Sequence, residues 1–252
     1  MISPLDTAAL VVAGVVAGLV GSAGGITSLV SFPALLAVGL AARSASIANS
    51  IALVACWPGS AFASQPELKG WGGWLWRWST VALAGGAAGA ALLVLTPGGT
   101  FERIVPFLVL AGSLALLFEP RLTAWRQRRQ RDESIFALPT GLLLLSLYNG
   151  YFGAGSGVMV LTLMLLLVEQ HLPSANALKN MLIGAGVLAS AVVYVLSGSV
   201  SWSAAVPLGI GMLIGSSLGP RVARRAPANI LRVIIAVLGI ALAIQLWVDP
   251  HL

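Results

Sequence analysis

Two stretches of this chain are too apolar for water and too long to cross a bilayer once. Residues 7–38 and 136–168 contain no Asp, Glu, Lys or Arg over 32 and 33 residues. As single helices, rising 1.5 Å per residue, they would be near 50 Å long. The hydrocarbon core of a membrane is about 30 Å thick. Both stretches carry a glycine cluster near the middle, "GSAGG" at 21–25 and "YNGYFGAGSG" at 148–157. Each is expected to break there. Irregular backbone at membrane depth survives only where protein or water meets its polar groups, so the breaks are the first places to look for a site.

Six further apolar segments have the length of one crossing: 46–64, 79–96, 101–118, 174–196, 201–219 and 229–248. With 58% hydrophobic and 9% charged residues, against about 25% charged in soluble domains, the chain reads as an all-α polytopic membrane protein. The opening "MISPLDTAALVV" has no basic region ahead of its apolar stretch and is expected to be the first membrane element, not a signal peptide. The net charge of +6 does not point to nucleic acid, because the basic residues sit in loops beside apolar segments.

The two halves resemble each other. Gly25 and Gly157 are 132 apart, Asn49 and Asn180 are 131 apart, and Gly85 and Gly89 match Gly211 and Gly215 at 126. The reading is two transmembrane repeats, 1–118 and 135–252, joined by a basic cytoplasmic linker at 119–134, "EPRLTAWRQRRQRDES". Internal duplication is a common build for secondary transporters.

Charge decides how the long segments lie. If all eight segments cross, the 14 Lys and Arg divide seven against seven. If 136–168 enters and leaves on one side, Lys179 and the arginines at 221, 224, 225 and 232 change sides and the division becomes twelve against two. Positive residues concentrate on the cytoplasmic side, so the second broken segment is expected to be a re-entrant hairpin. The first follows by the repeat, since residues 1–6 carry no Lys or Arg. Each half is then a Gly-broken hairpin plus three transmembrane helices. Three crossings is an odd number, so the repeats are inverted and both termini lie outside.

A helix that starts after a break has backbone N–H groups without intrahelical partners, and its positive dipole end favours an anion. Gly24, Gly25, Ile26 and Thr27 in the first break, and Gly155, Ser156 and Gly157 in the second, are therefore candidate N–H and hydroxyl donors to an anionic substrate. Asn49 and Asn180 are candidate side-chain donors. Lys179 is the one ionisable residue well placed to add a positive charge, as intramembrane charges usually serve function; the alternative is that it snorkels to the cytoplasmic surface. For the glycines and alanines at 84–91 and 209–219, close helix packing is the simpler reading. Trp71, Trp74, Trp76 and Trp78 read as an interfacial belt.

At these residues the sequence resembles a known family. "GLVGSAGGITSLVSFPALLAVGL", "SASIANSIAL", "NGYFGAGSGVMVLTLMLL" and "NALKN" look like the TauE/SafE family of bacterial membrane transporters. The resemblance implies eight hydrophobic segments, a place in the bacterial inner membrane, and movement of sulfite, sulfonates or related sulfur-containing anions. It matches the family's glycine-rich breaks to residues 21–25 and 153–157. It does not fix the substrate.

Other chemistries find little support. No Gly-x-x-x-x-Gly-Lys-Ser/Thr is present. With two histidines at segment ends and one cysteine, Cys56, no metal, cofactor or catalytic constellation is expected. The expected function is secondary transport of a small anion by alternating access around a midplane site. A channel with the same hairpins and a non-transporting scaffold subunit are the alternatives. The expected partners are the small anion and the lipid bilayer. A homodimer and a coupling ion, proton or sodium, stay open.

Overall fold

The structure is a computed structural model describing residues 3–127 and 136–223, together with Ile240 and Ile244. Part of the basic linker and nearly all of the expected span 229–248 lie outside the described residues.

The first long segment folds as two helices. α1, Pro4–Gly24, opens on a capping box. The Ser3 hydroxyl accepts from the Asp6 N–H at 3.1 Å, and the Asp6 carboxylate accepts from the Ser3 N–H at 3.1 Å. The helix stops at Gly25, whose φ of 80° is left-handed and whose N–H donates to the Gly21 carbonyl at 2.6 Å, a glycine C-cap. α2, Thr27–Ala37, starts two residues later. The second long segment does the same: α8, Ala137–Tyr151, is followed by a turn through Gly153 and Gly155, φ 84° and 76°, and then by α9, Ser156–Leu167. The polar groups of this turn are met internally. The Tyr148 hydroxyl donates to the Ala154 carbonyl at 2.6 Å, and the Ser156 hydroxyl to the Gly153 carbonyl at 2.8 Å.

The other helices in chain order are α3 (Ala42–Leu53), α4 (Cys56–Ala63), the single turn α5 (Gln65–Leu68), α6 (Gly72–Leu95), α7 (Gly98–Gln127), α10 (Leu172–Leu196) and α11 (Trp202–Ala223). Among the described residues, five stretches are long and apolar enough to cross a membrane: Pro4–Gly24, Ala42–Ala63, Gly72–Leu95, Leu172–Leu196 and Trp202–Gly219. The chain is a multi-pass membrane protein, and its described residues form helices and no strand.

One expected span is itself interrupted. Segment 46–64 divides into α3 and α4 at Val54–Ala55. Pro58 accounts for this, since its ring opposes the carbonyl four residues back, that of Val54, and it brings no N–H to bond there. The backbone tightens to i→i−3 bonds: Ala55 N–H to Ala52 at 3.1 Å and Trp57 N–H to Val54 at 3.3 Å.

Small residues bring the helices together, and the same contacts recur at two places between the halves. A Cβ on Gly85 of α6 would strike the Leu143 carbonyl and the Leu147 N–H of α8; one on Gly211 of α11 would strike the Val11 carbonyl and the Val15 N–H of α1. Gly89 meets the Leu147 carbonyl and Tyr151 N, and Gly215 meets the Val15 carbonyl and Leu19 N. The partners differ by 132 residues in every case, the spacing of Gly25 and Gly157. Lipid gives no hydrophobic drive for helices to associate, so such backbone-to-backbone contact supplies the dispersion that holds them. Trp71 meets Trp74 edge to face and Trp74 meets Trp78 at a tilt, and the three pack against the Leu138, Leu142 and Leu182 region, whereas Trp76 is exposed.

Candidate functional site

The two breaks touch. A Cβ on Gly25 would lie 2.5 Å from the carbonyl carbon of Gly157, and one on Gly157 would lie 2.6 Å from the Cα of Gly25. No residue but glycine permits this approach at either position, and Gly25 adds a left-handed φ. Phe152 in the second break locks the pair from the side, with its ring 5.1 Å from Phe32 of α2 and 6.0 Å from Phe101 of α7, edge to face in both cases.

A cavity of about 40 Å³ opens beside this contact. A single water needs about 10–15 Å³ on the same measure, so the space suits an ion of about three or four heavy atoms. Its wall comes from both breaks (Gly21, Ser22, Gly25, Thr27 and Ser28; Asn149, Gly153, Ser156 and Gly157), from α4 (Cys56, Trp57 and Ser60) and from α10 (Lys179, Asn180, Ile183, Gly184 and Val187). Among the described residues, no Asp or Glu contributes. The N-terminal ends of α2 and α9 both reach the wall, and neither carries a side-chain cap.

Lys179 does not snorkel. It is 1% exposed, and its ammonium donates to the Gly21 carbonyl at 3.2 Å. Asn176 and Asn180 each donate to the Ser22 carbonyl, at 2.8 and 3.1 Å. One polar face of α10 thus meets two carbonyls in the last turn of α1, that of Ser22 twice and that of Gly21 beside the Gly25 N–H it already accepts.

Of the residues read from the sequence as donors, Gly25, Thr27, Ser156, Gly157, Lys179 and Asn180 stand in the cavity wall, and Gly24, Ile26, Asn49 and Gly155 do not. Asn49 acts at one remove. Its Nδ2 donates to Ser28 Oγ at 3.1 Å and its Oδ1 accepts from Ser31 Oγ at 2.5 Å, so it orients a serine of the wall. Gly155 is the left-handed residue preceding α9 and packs against Gly112 of α7. Ile26 caps α2 by backbone alone, and the space around Gly24 is open.

Sequence reasoning missed Ser22, Ser28, Cys56, Trp57, Ser60 and Asn149. Asn149 had a visible signal, an amide inside the second glycine cluster. The α4 residues were hidden because 46–64 reads as an ordinary span; Pro58 within it was the clue.

Comparison with known proteins finds proteins named as probable membrane transporters. A protein from Sinorhizobium called probable membrane transporter protein ORF9 is 29% identical over 68% of this chain and 65% of its own length. The Escherichia coli K12 probable membrane transporter protein YfcA is 24% identical over 100% of this chain and 93% of its own. A probable membrane transporter protein of Haemophilus influenzae is 26% identical over 94% and 92%. No solved structure matches. The family described as sulfite exporter TauE/SafE matches residues 7–246, nearly the whole chain, including both breaks and the cavity between them, and the protein belongs to that family of membrane transporters.

Proposed function

We propose that this protein carries a small anion, sulfite or a closely related sulfur oxyanion, across a bacterial inner membrane. The observation that carries the reading is the placement of Lys179: a cation 1% exposed, lining a cavity to which no carboxylate among the described residues contributes. A buried charge is costly unless it is paired. The Gly21 carbonyl offers a dipole and not a counter-charge, so an anion in the cavity is the natural partner. Helix starts at Thr27 and Ser156 add positive potential from two sides. The cavity's size fits an ion of about four heavy atoms, and the family's description names sulfite. The relatives' names, probable membrane transporters, support movement of cargo rather than chemistry on it.

The recurrence of the α1–α11 contacts as α8–α6 contacts supports two repeats related by an internal axis. In this reading the repeats are inverted, each a re-entrant hairpin with three crossings. Transport follows from movement of one repeat against the other around the Gly25–Gly157 contact.

The test is flux. Purified protein in proteoliposomes is offered sulfite, sulfate, thiosulfate, taurine and sulfoacetate. Saturable uptake of one or more of the small oxyanions, at rates below those of a pore, is the expected result. No uptake of any of them, together with no ligand-induced thermal stabilisation, would sink the reading.

A further inference from the structure

Two residues of the cavity wall carry a buried N–H with no acceptor. They are Trp57, through Nε1, and Asn149, through Nδ2. An indole N–H can only donate. Asn149 is 5% exposed; its Oδ1 lies 2.6 Å from the Ser156 hydroxyl, which shares its one proton between Asn149 and the Gly153 carbonyl at 2.8 Å, and its NH₂ end has no partner. Buried donors are rarely left unmet, and two in one wall point to an occupant that accepts hydrogen bonds.

Their placement says more. A Cβ on Gly184 would run into the Trp57 ring, 2.7 Å from Nε1, and one on Gly186 would lie 4.0 Å from Asn149 Nδ2. Positions two apart on a helix point roughly 200° from one another. The cavity-lining row Lys179, Ile183 and Val187 of α10 runs between them. The two donors therefore approach the cavity from opposite flanks of α10. One comes from α4 in the first half, directly after the Val54–Ala55 interruption, and the other from α8 in the second.

From this geometry we infer that Trp57 and Asn149 form a two-sided donor clamp that selects polyatomic oxyanions over halides. An oxyanion presents an acceptor oxygen to each flank at once. A halide accepts from any direction but is a single centre, so it meets both donors only where they lie within two hydrogen-bond lengths of one another, whereas the oxygens of an oxyanion reach donors set further apart. The clamp rests on the anion-carrier reading of the same cavity and adds to it the residues that choose among anions.

The experiment is calorimetric titration of purified full-length protein with sulfite, nitrate and bromide. Wild type is compared with Trp57→Phe, which keeps a ring against Gly184 and loses the N–H, and with Asn149→Leu. Each substitution is expected to weaken sulfite and nitrate about tenfold, the scale of one hydrogen bond to a charged group, and to change bromide by less than about twofold. Where Trp57→Phe does not fold, β-(3-benzothienyl)alanine at position 57, isosteric but without the N–H, takes its place. Wild-type sulfite affinity in both variants, or an equal loss for bromide, overturns the clamp and leaves the carrier reading standing. No binding of any of the three anions by wild type, with no flux in proteoliposomes, overturns the carrier reading and the clamp with it.

Discussion

The ammonium of Lys179 donates to the carbonyl of Gly21 at 3.2 Å, across 158 residues of sequence and from α10 to the end of α1. That carbonyl already accepts the N–H of Gly25 at 2.6 Å. A positive charge at the negative end of a helix is favourable in itself, so Lys179 serves the fold as well as the cavity it lines.

The two roles separate by substitution. Lys179→Gln keeps a donor for Gly21 and removes the charge. Sulfite affinity is expected to fall by about 1–3 kcal/mol, and stability only by the lost charge–dipole contribution, about 0.3–1 kcal/mol. Lys179→Arg keeps the charge, changes the donor geometry and regains part of the affinity. Titration calorimetry on folded protein decides. Equal affinity in wild type and Lys179→Gln would remove the ammonium from the site.

Asn176 is the contrasting case. It donates to the Ser22 carbonyl at 2.8 Å and takes no part in the cavity wall. Asn176→Leu is expected to cost about 1 kcal/mol of stability, the low end for a weakened buried acceptor, because Asn180 still reaches the same carbonyl at 3.1 Å. Anion affinity should stay at the wild-type value. A melting curve and a titration on the same preparation check both halves; a loss of affinity without a loss of stability would place Asn176 in the site.

How much of this was legible follows from which interactions are local. A glycine cluster in an overlong apolar run reports a break directly, because the left-handed φ at Gly25 and Gly155 is a property of the residue itself. The α6 and α11 glycines read correctly as packing surfaces, since small residues in apolar helices have few other uses. The cavity was half legible. Thr27 and Ser156 stand on the breaks, and Lys179 is a charge inside an apolar segment, so all three could be named. Trp57 could not, because an indole near Gly184 is a fact about how α4 and α10 cross; Asn149 stood in view inside the second glycine cluster, but its approach to Gly186 depends on how α8 and α10 cross. Asn49 was read as a donor to substrate and instead orients Ser28 and Ser31; sequence spacing does not distinguish a side chain in a wall from one behind it.

The contact between the breaks makes a prediction sharper than loss of flexibility. Alanine at position 25 or 157 adds one Cβ, which at either site would overlap the other break's backbone. Gly25→Ala and Gly157→Ala are both expected to lose transport, and Gly25→Ala to lose more stability because it also strains φ. Valine at either site should do worse. Gly73→Ala, where a Cβ meets nothing within 4 Å, is the control and should match wild type or exceed it slightly, as alanine is the better helix former. Flux and melting temperature of the three variants test this. Wild-type flux in Gly157→Ala would mean that the breaks move apart easily and do not bear on each other.

The last prediction concerns orientation. With Lys179 buried at the cavity, eleven of the other 13 Lys and Arg fall on one side if both long segments are re-entrant, and the cytoplasmic side is the one that collects them. Both termini then face outward. Cys56 lines the cavity, so it must first be removed as Cys56→Ser to leave a clean background. Single cysteines at position 3, just ahead of α1, and at position 251, outside the described residues, are then labelled in intact cells with a membrane-impermeant maleimide. Both are expected to label from outside. If position 251 labels and position 3 labels only after permeabilisation, the first segment crosses and the repeats are not both hairpins. If both are protected, the orientation is reversed, and the basic residues collect on the outer face against the usual bias. Each result leaves the cavity where it is and changes only which side α1 and α8 enter from, which is why labelling, and not binding, is the measurement that settles the repeats.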